Sequence, residues 1–179
     1  EDLDKNPLKM GGVNIEHSEQ EKYLGDWIHE KGCKESITAT IKTRVSKLIS
    51  KTEEIIQLVE SPAMSCLGGA NTAFRLFEAQ IIPTLLHNCE SWISIDDSHL
   101  KMLQEFQEKF IRRVLRLAHS VPKVMLEYDT CMPPMKWRIA QKKLICVNKI
   151  MAKPIDNITR RVLMQESINK IKGLATECN

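Results

Sequence analysis

The chain has 179 residues, of which 42% are hydrophobic and 27% charged, and its formal net charge is +3. That is ordinary globular composition for one domain, or one domain with part of another. Seven Gly and seven Pro exclude a collagen-like or low-complexity chain, no apolar run nears the roughly 20 residues that span a bilayer, and no basic segment leads into an apolar core as a secretory signal does.

The first 30 residues read as strands. Leu8-Lys9-Met10, Gly11-Gly12 and Val13-Asn14-Ile15-Glu16 predict a hairpin, because Gly-Gly suits a two-residue turn. Lys22 to Ile28 is a second β-like stretch, and Lys31-Gly32 follows it. From there the chain reads as helical. Ile37, Ile41, Val45, Leu48, Ile55 and Val59 recur at helical spacing and stop at Ser61-Pro62. A second helical pattern runs from about Ala70 to Trp92, with Phe74, Phe77, Ile81, Leu85 and Asn88 on one side. Pro83 lies inside it and predicts a kink or break. Asp96-Asp97-Ser98 suits an N-cap for a third helix, with Leu100, Leu103, Phe106, Phe110, Val114 and Leu117 as its apolar stripe. A short helical turn is expected after Val121-Pro122. Pro133-Pro134 opens a fourth long helix with Trp137, Ala140, Leu144, Val147 and Met151 inward, ending at Pro154. A last amphipathic stretch covers about Asn157 to Lys172. The one boundary visible in the pattern is near residue 34. The chain begins on Glu1 and reads as a piece of something longer.

Charge is uneven along this layout. Residues 1–34 hold eight acids and five bases, whereas residues 101–172 hold sixteen Lys/Arg and six Asp/Glu. So basic a segment suits a polyanionic partner, although a solvated helical surface reads the same way. On the third helix, Lys109, Arg112, Arg113 and Arg116 stand at i, i+3, i+4 and i+7, which predicts four cations on one face. A solvated face with Glu105 paired to Lys109 is the plainer alternative. Arg138, Lys142, Lys149 and Lys153, with Lys136 and Lys143 beside them, form a second basic line. Lys42, Arg44, Lys47 and Lys51 form a third. Several basic faces suit a groove that follows a nucleic-acid backbone. Aromatic residues total only 5%, which argues against a stacking platform for single strands.

Catalytic and metal constellations are not expected. The six cysteines include no C-x-x-C pair, and His87 with Cys89 has no second pair to complete a zinc site. They read as reduced intracellular thiols. Asp96-Asp97 lies between helices and reads as a cap. The five histidines lack a partner at an interpretable spacing. Gly68-Gly69 lacks the context of a phosphate loop.

In order, the chain carries Tyr23-Leu24-Gly25, Thr43-Arg44-Val45-Ser46-Lys47, Leu76 to Pro83, Glu90-Ser91-Trp92, Leu100 to Leu117, and Met132 to Ile139 followed by Lys142-Lys143-Leu144. The order and spacing resemble the C-terminal part of reverse transcriptases encoded by non-LTR retrotransposons, over roughly residues 8–153. The Pro-Met-Lys-Trp-Arg-Ile stretch is most similar to site-specific elements with a restriction-like endonuclease. Two segments depart from the pattern. His87-Asn88-Cys89 stands where the family has Tyr-Gly before Glu-x-Trp, and Asp129-Thr130-Cys131 stands where it often has Glu-x-Gly.

The resemblance implies a mainly α fold: a helical thumb bundle of four to five helices with a short β-hairpin remnant of the palm. Residues 1–34 would end the palm, 35–153 would form the thumb, and 154–179 would start a helical linker. Tyr23, Leu24 and Gly25 would be primer-grip-like. Lys109, Arg112, Arg113, Arg116, Arg138, Lys142, Lys47 and Lys51 would contact the backbone of an RNA–DNA or RNA duplex. The chain has no Tyr/Phe-x-Asp-Asp motif to hold two metal ions. It is therefore expected to be no enzyme alone and to need no cofactor, with Mg2+ belonging only to the full polymerase. The missing fingers and palm are implied partners, a membrane is not, and the implied location is nuclear. A domesticated helical module for protein interaction is the second expectation.

Overall fold

The computed structural model of the protein describes residues 9–10, 13–14, 18–61 and 68–166. It is mainly helical, with antiparallel hairpins at the N-terminal end. The predicted first hairpin is present as β1 (Lys9–Met10) and β2 (Val13–Asn14). The second β-like stretch is itself a hairpin, β3 (Gln20–Tyr23) and β4 (Asp26–His29), with Tyr23 opposite Asp26. Leu24 (φ 48) and Gly25 (φ 91) form its two-residue turn. Two consecutive positive φ values are what a type I′ turn requires, and Gly25 meets that requirement at little steric cost.

Helix α1 (Cys33–Glu60) follows. It ends at Ser61, whose extended backbone is the conformation forced on a residue before proline. Its buried stripe is Ile37, Ile41, Leu48, Ile55 and Ile56. Strand β4 docks on α1 through hydroxyls. In this register the amides of Trp27 and His29 point away from β3. Thr40 Oγ1 accepts from Trp27 N at 2.9 Å, and Ser36 Oγ accepts from His29 N at 2.8 Å. The Trp27 indole donates to Thr43 Oγ1 at 3.0 Å. The outer edge of the hairpin is thereby satisfied rather than left open to another chain. By contact the chain divides into two compact units, Glu1–Met135 and Lys136–Asn179.

The predicted second helix is segmented. Helix α2 (Gly69–Leu76) runs into a π turn (Phe77–Ile81) and then α3 (Ile82–Leu85). Pro83 has no N–H, and its ring crowds the carbonyl four residues back. The chain meets this by widening: the Ile82 amide bonds Phe77 O, five residues earlier. Phe77, Ile81 and Leu85 are nonetheless fully buried, as the stripe predicts. Asn88, expected on the same side, is exposed and left-handed. A short 3-10 turn (Cys89–Ser91) brings buried Trp92 into the core.

Helix α4 (Asp97–Val114) starts at a capping box on Asp96. It packs Leu103, Phe106, Phe110 and Ile111 against α1 and the π turn. Phe110 stacks on Phe77 with ring centroids 4.2 Å apart. Helices α5 (Lys123–Thr130) and α6 (Met135–Met151) complete the labelled elements. Gln104 of α4 donates to Glu127 and accepts from the Met135 amide at 3.0 Å, which fixes where α6 begins. On α6 the expected inward side is wrong. Trp137 is 67% exposed, and Leu144 and Val147 are also exposed, while Arg138 and Ile139 are buried. Residues 158–166 are helical, and the rest of the last predicted stretch lies outside the described residues.

Arg44 joins these parts. Its side chain points inward, which removes it from the third basic line. Nη1 donates to Leu85 O and His87 O, and Nη2 to Gly25 O and Asp26 Oδ1. Burial lowers its pKa from the ordinary value, and Asp26 opposes that shift. Asn88 Nδ2 also donates to Asp26, at 2.7 Å.

Replacing Arg44 by Met should cost about 3 kcal/mol in a urea melt, since Asp26 and three carbonyls lose their donor. A loss below about 1 kcal/mol would remove Arg44 from this role. Cys131 caps α5 at φ 51, so Cys131→Gly should raise stability by about 0.5–1 kcal/mol, roughly 2 °C in Tm. Asn88→Gly should not, because it deletes the bond to Asp26.

Candidate nucleic-acid interface

The four predicted cations on α4 have four different fates. The helix closes with Leu117 N bonded to Arg112 O at 2.9 Å and Arg116 N to Arg113 O at 3.2 Å, with Arg116 itself left-handed at φ 53. That is a Schellman ending, and it puts Arg116 off the helical face. Arg112 turns to the loop beyond and donates to Ala118 O at 2.8 Å and Val121 O at 2.7 Å. Its guanidinium is occupied by carbonyls, as cations near a helix C-terminus often are, so its reading as an open phosphate contact is corrected. Arg113 lies 3.8 Å from Glu53, and Arg116 lies 3.6 Å from Glu60. Both pairs are exposed, a setting in which ion pairs stabilise by about 1 kcal/mol or less. Lys109 is exposed and has no ion-pair partner among the described residues.

These side chains still gather. Lys109, Arg112, Arg113 and Arg116 line one open depression of about 530 Å³, together with Glu60, Leu117 and His119. Neither Glu60 nor His119 was expected there: Glu60 arrives from α1 through tertiary packing, and His119 from the loop that follows the Schellman ending. A second cleft of about 460 Å³ runs between α1 and α4. Its floor is apolar, from Ile41, Val45, Phe106 and Phe110, and its rim mixes Lys42 and Lys109 with Glu53 and Glu105. Arg113 also lines it, so three cations and two acids share its walls.

The other predicted residues are spread out. Lys47 and Lys51 are exposed on α1, one turn apart. Lys42 stands about 140° round the helix from Lys47, so the third basic line does not form a single row. Arg138 is 8% exposed, too buried to serve as a phosphate contact, and Lys142 is half-buried on the same helix. Tyr23 and Leu24 are exposed at the hairpin tip, and Gly25 O is held by Arg44. Among the described residues, no group of three or more His, Cys, Asp or Glu side chains could hold a metal ion. No described helix is long and apolar enough to cross a membrane.

The other end of α4 is an electrostatic knot. Asp96 accepts from Lys34 Nζ at 2.7 Å, from Ser98 Oγ at 2.6 Å and from the His99 amide at 3.1 Å. The Lys34 bond, then those from Ser98 and His99, hold its carboxyl well below the usual carboxylate range. His99 is fully buried, with Nδ1 accepting from Asp96 N and Nε2 against Thr38 Oγ1 at 2.8 Å. Asp96 therefore acts as a cap, as its position predicts.

A carboxyl with a lowered folded pKa stabilises fully above its unfolded value, about 3.9, and loses that contribution as pH falls toward the folded value. Asp96→Asn keeps a cap acceptor but not the charge. The gap between wild type and Asp96→Asn in urea midpoint should therefore be open at pH 7 and narrow below about pH 4. A gap independent of pH would exclude the charged bonds as its source.

Set against family models, curated proteins and solved structures, the chain matches none.

Proposed function

We propose that this chain grips the backbone of an RNA–DNA duplex without reading its sequence, as a thumb-like part of a non-LTR reverse transcriptase during target-primed reverse transcription. The observation that carries the reading is the depression where Lys109, Arg113, Arg116 and His119 converge beside a single acid, Glu60. Backbone affinity comes from ammonium and guanidinium groups that release counterions, and it needs no fixed base contact.

The backbone gives separate support to the family resemblance. The two segments where the family pattern has a glycine, His87-Asn88-Cys89 and Asp129-Thr130-Cys131, each hold a residue at positive φ: Asn88 at 54° and Cys131 at 51°. Those conformations are ones glycine takes freely and other residues take at a cost. The exposed turn at Tyr23-Leu24-Gly25 is consistent with a part that meets a primer end. On this reading the duplex backbone and the remaining fingers and palm are the partners, the acids for Mg2+ lie in that palm, and the setting is nuclear.

The second reading, a helical module kept for protein interaction, is favoured by exposed apolar side chains on α5, namely Val124, Met125 and Tyr128. Salt separates the two, because apolar docking changes little with ionic strength.

Lys109→Glu with Arg116→Glu tests the grip without disturbing Arg112, whose loop bonds are structural. The double variant should bind a labelled RNA–DNA hybrid at least about tenfold more weakly. Its log–log salt slope should be shallower by roughly 0.9 per lost contact. Unchanged affinity in a folded variant would refute the assignment to this depression.

A further inference from the structure

The cleft between α1 and α4 has a shape and a wall chemistry that a backbone grip does not use. The two helices run in the same direction. Thr38 meets His99 near their starts, at 2.8 Å, and Glu53 meets Arg113 farther along, at 3.8 Å. The cleft between them is therefore a furrow. It follows α1 from Ile41 to Ile56 and α4 from Met102 to Arg113, which at the rise of a helix is about 16–22 Å. Val45, Phe106 and Phe110 belong to its floor, and Ile49 is 52% exposed on its wall. Its volume, about 460 Å³, lies in the range of sites that hold small molecules.

Width, length and charge together select the occupant. Packed helices stand about 8–10 Å apart, so the furrow between their side chains is narrower than a third helix, which is about 10 Å across. A trough that narrow and apolar suits a single hydrocarbon chain. The hydrocarbon core of a bilayer is about 30 Å thick and two chains deep, so one chain is about 15 Å long and fits the furrow lengthwise. The charges on the walls choose the head group. Glu53 and Arg113 answer each other. Lys42 and Lys109 are exposed and have no ion-pair partner among the described residues, and Glu105, half-buried, has none either. Two free ammonium groups against one free carboxylate favour an anion. Lysine stems also lie along hydrocarbon while their ammonium groups reach a polar head. Lys42 stands at the end away from the Glu53–Arg113 pair, so a head group there leaves the floor to the tail. A second copy would set the same free lysines against each other, and a phosphodiester strand gains nothing from Val45 and Phe106.

We propose that this furrow binds a free long-chain fatty acid, with its tail along Val45, Ile49, Phe106 and Phe110 and its carboxylate on Lys42. Lys109 also lines the basic depression, but Lys42 and Ile49 do not, so variants at these two positions test the furrow apart from the grip.

The test titrates the full chain with cis-parinarate, a fatty acid that fluoresces on leaving water, and then displaces it with unlabelled ligands kept below their critical micelle concentrations. From laurate to myristate to palmitate, affinity should rise by up to about tenfold per added pair of methylenes. Dodecyltrimethylammonium, which has the chain length of laurate and the opposite charge, should bind at least about tenfold more weakly than laurate. Ile49→Asp should weaken palmitate by about tenfold or more. Lys42→Gln should weaken laurate by about fivefold, the scale of an exposed ion pair, and leave dodecanol unchanged. Both side chains are exposed, so circular dichroism should not change. The proposal is overturned by absent parinarate binding, by equal binding of laurate and its cationic counterpart, by Ile49→Asp binding palmitate as wild type does, or by Lys42→Gln affecting laurate and dodecanol alike. Two further outcomes give the furrow to another occupant and also overturn the proposal, provided parinarate fails to bind. One is a dimer in sedimentation that Ile49→Asp abolishes. The other is binding to phosphatidylserine vesicles that the same variant abolishes.

Discussion

One guanidinium holds together three segments that are far apart in sequence. Arg44 leaves the middle of α1 and supplies donors to the tip of the β3–β4 hairpin, to Leu85 at the end of α3, and to His87 just beyond it. Carbonyls at a helix C-terminus have no partner within the helix, and a planar cation with several fixed N–H groups can serve more than one of them. Trp92 lies under the same group, its ring centroid 5.8 Å from the guanidinium carbon, where the face of an indole attracts a cation. The hairpin turn and the end of the segmented second helix thus share a donor. The exposed tip at Tyr23 and Leu24 is consequently a projection with a fixed root.

The basic end of α4 shows how a cation-rich helix terminus divides its charges. A cation there has two competing sets of acceptors, the helix's own last carbonyls with the loop beyond, and any anion outside. Arg112 is taken by the first. Lys109 and Arg116 project to the second, with Arg116 turned there by its left-handed backbone. From α1, Glu53 reaches Arg113 and Glu60 reaches the same Arg116, both loosely, at distances typical of exposed pairs. The surface is less cationic than its sequence suggests. The groups left over are few and convergent.

Much of the fold was legible, and the misses share a cause. Periodicity located α1 and α4, and the Asp96 cap followed from residue type alone, because these signals are local. Pro83 predicted a disturbance but not its form. Whether a helix kinks or takes a π turn depends on keeping Phe77 and Ile81 in the core, a tertiary demand. Arg44 and Arg112 looked like surface cations because spacing shows which residues share a face, not what that face meets. Trp137 and Leu144 were placed inward by the same reasoning. An amphipathic stripe states that a helix has an apolar side, but not that this chain covers it.

The docking of β4 on α1 reaches beyond packing. The amides of Trp27 and His29 bond to Thr40 and Ser36, so neither can meet solvent while the hairpin stays seated. Opening those bonds requires strand and helix to separate together. Deuterium uptake at these two backbone positions therefore measures the free energy of undocking, and it does so apart from fraying of the exposed strand β3.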